Sequence, residues 1–134
     1  MYLLALKDVQ LNLQGNTYTI VRQLIDTSMR NNLKYVIYAA LLSNLLLMLS
    51  EIKTPSSLQF ITASIAFIAL VIDVVLTLKG NLPINNIINT WSAEHYPNNW
   101  MQYRDDWFVI FGYRQVAVIS GFVSLLIGTV FSMR

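Results

Sequence analysis

The sequence predicts an all-α integral membrane bundle: three clear transmembrane helices plus an N-terminal amphipathic helix. Composition is the first reason. Of 134 residues, 55% are hydrophobic and 12% charged, about half the charged share of a soluble domain. A chain this small has too much surface for so few charges to cover. Apolar runs are the second reason. Leu58 to Leu78 holds one charge, Asp73, and Trp107 to Met133 holds one, Arg114. Each run exceeds the roughly 20 residues needed to cross the hydrocarbon core. Helix follows from the solvent, because an open sheet leaves its backbone unsatisfied in lipid.

Taken in order, residues 1–14 form a short apolar start and then a polar stretch. The apolar part is too short for a signal peptide before Lys7 and Asp8 interrupt it. These residues read as a frayed end or the last turns of a shortened helix. Next comes an amphipathic helix in "NTYTIVRQLIDTSMRNNLK", with Asn16 as its N-cap. Tyr18, Val21, Ile25 and Met29 share one face; Arg22, Asp26, Arg30 and Lys34 share another, at the spacing of i,i+4 ion pairs. Such a helix belongs at the membrane surface or across the end of the bundle.

The first span covers about 33–50, with the stem of Lys34 able to snorkel. The second covers 57–78, introduced by Pro55 and closed by "KGNLP", where Gly80 reads as the stop. A polar, asparagine-rich segment, 79–106, leads to the third span, 107–133, whose helix starts near Asn98 or Asn99. The whole chain, 1–134, is one domain. Arg22, Arg30, Lys34, Lys79 and Arg104 lie on one side, against Lys53 and Arg134 on the other. This excess places the 79–106 segment in the cytoplasm.

Several chemistries are excluded. The chain has no cysteine, which removes thiolate sites and disulfides. His95 is the only histidine, so no usual transition-metal site is expected. The net charge of +2 is small and dispersed, which argues against nucleic acid. The bilayer is the expected partner, with room for a small aromatic ligand or a homo-oligomer.

Asp73 and Arg114 stand out, because ionisable groups inside a span are costly and usually paired. Asp73 lies six residues before Lys79, about 9 Å below the cytoplasmic end, and Arg114 lies seven after Trp107, about 10 Å below it. Antiparallel helices at equal depth bring the two together, either as a register-setting pair or as a site. Trp100, Arg104, Trp107, Phe111 and Arg114 recur at 4-3-4-3 spacing on one helical face. That face is either a membrane belt with a cation–π stack or a pocket. In the pocket reading, Arg104 and Arg114 hold an anionic or carbonyl oxygen while Trp100, Trp107 and Phe111 grip a flat ring. His95 is a solvated loop residue or a catalytic base. Asn44, deep in the first span, should hydrogen-bond a neighbouring helix. Ser120, Ser124, Gly128 and Ser132 form a small-residue packing stripe, and Ala117 with Gly121 a shorter one suited to a homo-oligomer.

The runs "NLPINNIINTW" and "NNWMQYRDDWFVIFGYRQ", with "RQLID" upstream, resemble the anthrone oxygenase-like family of small multispan membrane proteins. Asn81, Pro83, Asn85, Trp100, Arg104, Trp107 and Arg114 carry the resemblance. It implies a four-helix membrane bundle, so three spans leave one helix short, and a groove filled by another subunit or by lipid. For the fungal members it implies a cofactor-free oxygenase converting anthrones to anthraquinones. Asn81 and Asn85 then join the ligand-binding set, and Arg104, Arg114, His95 and Asp73 the catalytic one. Three functions are open. The leading one is binding of a small apolar or aromatic molecule, or a partner helix, in a cytoplasmic-side pocket. The others are the oxygenase and a structural subunit in which Arg22, Asp26 and Arg30 clamp the loop. The expected location is a bacterial inner membrane.

Overall fold

The computed structural model describes the backbone of residues 8–132 and the side chains of 8–131. Expectations that touch Met1–Lys7, the Ser132 side chain, Met133 or Arg134 lie outside the described residues. After a helical turn at 8–11, the main elements are α1 (Gly15–Ser50), α2 (Leu58–Leu76), a π turn (Thr77–Asn81), α3 (Leu82–Ile88) and α4 (Trp100–Ser132). No strand occurs among the described residues. Three helical stretches are long and apolar enough to cross a membrane: α1, the rod from α2 through α3, and α4.

The amphipathic segment and the first span, predicted as two pieces, are one helix of 36 residues. No glycine or proline occurs between Asn16 and Pro55, so nothing in the chain breaks it. At 1.5 Å per residue it is about 54 Å long, against a hydrocarbon core of about 30 Å. Its N-terminal half therefore extends past the spans, where α3, the 89–99 loop and the start of α4 gather around it as a polar end. Gln14, not Asn16, is its N-cap. Burial on this half mixes the two predicted faces, and Tyr18 of the apolar one is fully buried. Arg22 and Asp26 are buried, while Met29 is 52% exposed. Arg22 and Asp26 turn inward because the surface they meet is the asparagine face of α3, while Arg30 and Lys34 of the same stripe stay exposed.

Gly80 does not stop the second span. The chain passes through it in a π turn and continues as α3 to Ile88. Pro83 has no N–H to donate and its ring crowds the carbonyl four residues back, and the wide turn before it accommodates both. Gly80 has a packing role instead: a Cβ there would lie 2.7 Å from Ile110 Cγ2. At the other end of this rod, the Ser57 hydroxyl caps α2 by accepting from the Phe60 N–H at 3.1 Å.

In the membrane half, α2 and α4 pack closely through small residues. Ala63, Ala66 and Ala69 are buried on α2. Facing them on α4 are Gly121, Ser124 and Gly128, with the Ser124 hydroxyl donating to the Thr62 carbonyl at 3.0 Å. The packing stripe therefore runs 121–124–128; Ser120, predicted to belong to it, is exposed. A 3-4 step follows the 3.6-residue turn, whereas steps of four drift off the face. Gly121, of the predicted Ala117–Gly121 stripe, sits against Ala66 and Ala69. α1 joins this pair loosely. All residues from 27 to 36 are exposed, and between α1, α2 and α4 a groove of about 360 Å³ remains.

Candidate functional site

The polar end is built around Asp26. Its Oδ1 accepts from Asn85 Nδ2 at 2.9 Å, and its Oδ2 accepts from Asn89 Nδ2 at 2.8 Å and Arg30 Nη2 at 2.7 Å. Arg30 also donates to Asn86 Oδ1 at 2.9 Å. A buried carboxylate with three donors is well compensated. Among the described residues Arg22 makes no carboxylate pair within 4 Å, whereas the i,i+4 spacing predicts one. It donates from Nε and Nη2 to Asn85 Oδ1 at 3.4 and 3.3 Å, and its Cζ lies 3.7 Å from the centre of the Trp107 ring. Asn85 thus relays between Arg22 and Asp26: its oxygen faces the cation and its amide nitrogen faces the carboxylate. Gln23 adds a cap for α3, donating to the carbonyls of Ile88 and Trp91 at 2.9 Å each.

A second cluster joins the spans. Arg114 Nε donates to Asp73 Oδ1 at 2.7 Å, the meeting that equal depth predicts, and Arg114 Nη1 donates to Asn81 Oδ1 at 3.1 Å. The Asn81 amide in turn donates to the Trp107 carbonyl at 3.0 Å. The π turn places Asn81 where it reaches both. The Asp73 side chain is 8% exposed and that of Arg114 20%.

The predicted aromatic face separates into two environments. Trp107 stacks on Phe111, with centroids 4.9 Å apart, and has Arg22, not Arg104, over its ring. Trp100 packs against Tyr18 and Tyr96, with the Arg104 Cζ 5.2 Å from its ring. Arg104 donates to Asp105 Oδ1 and to the Leu11 carbonyl, both at 2.9 Å. It does not sit between two indoles. Arg104 and Arg114 lie ten residues apart on one helix, about 15 Å along its axis, too far to hold one oxygen together. His95 is exposed; its backbone closes a turn with Ser92.

Sequence reasoning missed Gln23, Asn86, Asn89 and the Arg22–Trp107 contact. One signal was present. Asn81, Asn85 and Asn89 recur every four residues, as do Arg22, Asp26 and Arg30. Two polar stripes of equal period can mate.

The groove lies away from these clusters, in the membrane half. Ala40, Ser43 and Asn44 of α1, Ala66 and Ala69 of α2, and Gly121 and Phe122 of α4 line it. Asn44 is buried, and neither its Oδ1 nor its Nδ2 has a partner. The helix-to-helix bond expected of it is not made among the described residues. A second cavity, about 310 Å³, opens at the edge of the polar end beside Lys79, Pro83 and Asp106. Neither cavity is lined by Arg104 or Arg114. No group of acidic or histidine side chains suited to a metal occurs among the described residues. No family model, curated protein or solved structure matches the chain.

Proposed function

We propose that this chain is a non-catalytic, multi-pass membrane subunit that works by binding a transmembrane helix in the groove between α1, α2 and α4. The carrying observation is the groove itself, open between three spans and lined by Ala40, Ser43, Ala66, Ala69 and Gly121. At the polar end Arg22, Arg30, Arg104 and Arg114 all have partners inside the chain, while Gln10 Oε1, the Tyr18 hydroxyl and Trp107 Nε1 are buried without one. In the membrane half Asn44 has none. An unbonded buried amide in hydrocarbon is costly, and adjoining small residues suit close helix approach. The polar end is then a scaffold that fixes the register of the spans, and the groove is the working surface.

The five-to-two distribution of basic residues supports a cytoplasmic polar end, and a bacterial inner membrane is the proposed location. Labelling with a small hydrophobic aryl-diazirine in native membranes, read residue by residue by mass spectrometry, tests the reading. Leu47 and Phe122 at the groove should label several-fold less than Ile68 and Ile119, which are similarly exposed on the isolated chain. Equal labelling at all four positions would mean that lipid fills the groove, and would overturn the proposal.

A further inference from the structure

We infer that the cavity beside Lys79 and Asp106 seats the headgroup of a phosphatidylethanolamine, its phosphate on the Lys79 ammonium and its own primary ammonium on the Asp106 carboxylate. This surface is separate from the groove, and the inference does not depend on what fills the groove.

The cavity, about 310 Å³, lies between the π turn with the start of α3 on one side and α4 on the other. Lys79 and Asp106 are exposed, and neither makes an ion pair or a side-chain hydrogen bond among the described residues. Two opposite charges thus line one cavity without closing on each other. Exposure alone points to nothing, because an ion in water needs no protein partner. Their level along the chain does. Lys79 follows directly on the apolar run Leu58 to Leu78, and Asp106 directly precedes the run that begins at Trp107. Both therefore stand where a span leaves the hydrocarbon, in the layer that lipid headgroups occupy. Below them the surface is apolar. Val109 shares the cavity wall, and Val109, Tyr113 and Val116 continue from Asp106 at 3-4-3 spacing down one face of α4. They are 58%, 63% and 64% exposed. Charge at the interface above an apolar stripe is the polarity order of a phospholipid.

The pair of charges selects the headgroup. A lysine alone would favour an anionic lipid, but Asp106 in the same cavity repels net negative charge. A phosphate accepts from the Lys79 ammonium, and a primary ammonium brings three N–H donors to the Asp106 carboxylate. A choline headgroup has the positive charge without an N–H, and a glycerol headgroup has no cation.

The test uses the purified chain in nanodiscs of equal parts phosphatidylethanolamine, phosphatidylglycerol and phosphatidylcholine, with retained lipid read by native mass spectrometry. Phosphatidylethanolamine should be retained several-fold over each of the other two. Asp106→Asn should abolish its preference over phosphatidylglycerol, and Lys79→Gln should lower its retention several-fold. Lys53→Gln, in the turn at the opposite end of the spans, should change neither. All three variants should keep the thermal midpoint of the unaltered chain, because the Lys79 and Asp106 side chains hold nothing together, so lost lipid is not lost fold. Equal retention of the three lipids, a preference for phosphatidylglycerol, or an unchanged preference in Asp106→Asn would each overturn the assignment.

Discussion

Two arginines in this molecule are held by different physics. Arg114 has a carboxylate at 2.7 Å in the span; Arg22 has an amide relay and an aromatic face. Desolvating both members of an ion pair costs much of what their attraction returns, so the pair adds little net stability, while breaking it leaves one charge stranded. Asp73→Ala should therefore lower stability by about 3 kcal/mol, and the double variant Asp73→Leu, Arg114→Leu should recover most of that. Unfolding titrations in mixed micelles, arranged as a double-mutant cycle, measure the difference. Equal destabilisation by the single and double variants would remove the pair from its register-setting role.

At the scale of elements, the α2–α4 contact depends on side chains that are almost absent. A Cβ at Gly128 would run into the Thr62 hydroxyl and lie 3.1 Å from Thr62 Cβ. Gly128→Ala should cost about 1–3 kcal/mol by overpacking. Adding Thr62→Ala should restore much of it, because the Thr62 hydroxyl donates to carbonyls of its own helix, at Leu58 and Gln59. A thermal-shift series over the two single variants and the double one checks this. The same logic explains why α1 is loosely held. It has no matching row of small residues against α4, and its firm attachment is at the polar end, through Arg22, Gln23 and Asp26.

For the whole molecule, the three crossings place the polar end and the 51–57 turn on opposite sides. With the polar end cytoplasmic, Asn98→Cys should react with an impermeant maleimide only after cytoplasmic access is opened, and Lys53→Cys only from outside. The reverse pattern would invert the proposed orientation. The oxygenase chemistry implied by the family resemblance makes a different demand, a shared cavity for Arg104 and Arg114. With about 15 Å between them and both engaged within the chain, purified protein should consume anthrone no faster than empty micelles under air. A clear excess rate abolished by Arg114→Ala would reinstate the enzyme.

Class, span number and the Asp73–Arg114 meeting are legible in the sequence because they depend on one-dimensional quantities: apolar length, charge spacing and depth along a helix of fixed rise. The resting places of Arg22, Asp26 and Asn44 are not. Asp26 keeps the i,i+4 partner that spacing predicts, Arg30. It finds two others 59 and 63 residues away, and only the packing of α1 on α3 buries the Arg22–Asp26 part of the charged stripe. Asn44 shows the converse. Its depth is written in the chain, but its lack of a partner emerges only when α1, α2 and α4 are assembled and the space beside them stays open. Spacing along a chain settles what each helix can present, because the backbone sets it locally. Which presented group is satisfied depends on neighbours that long-range packing alone supplies.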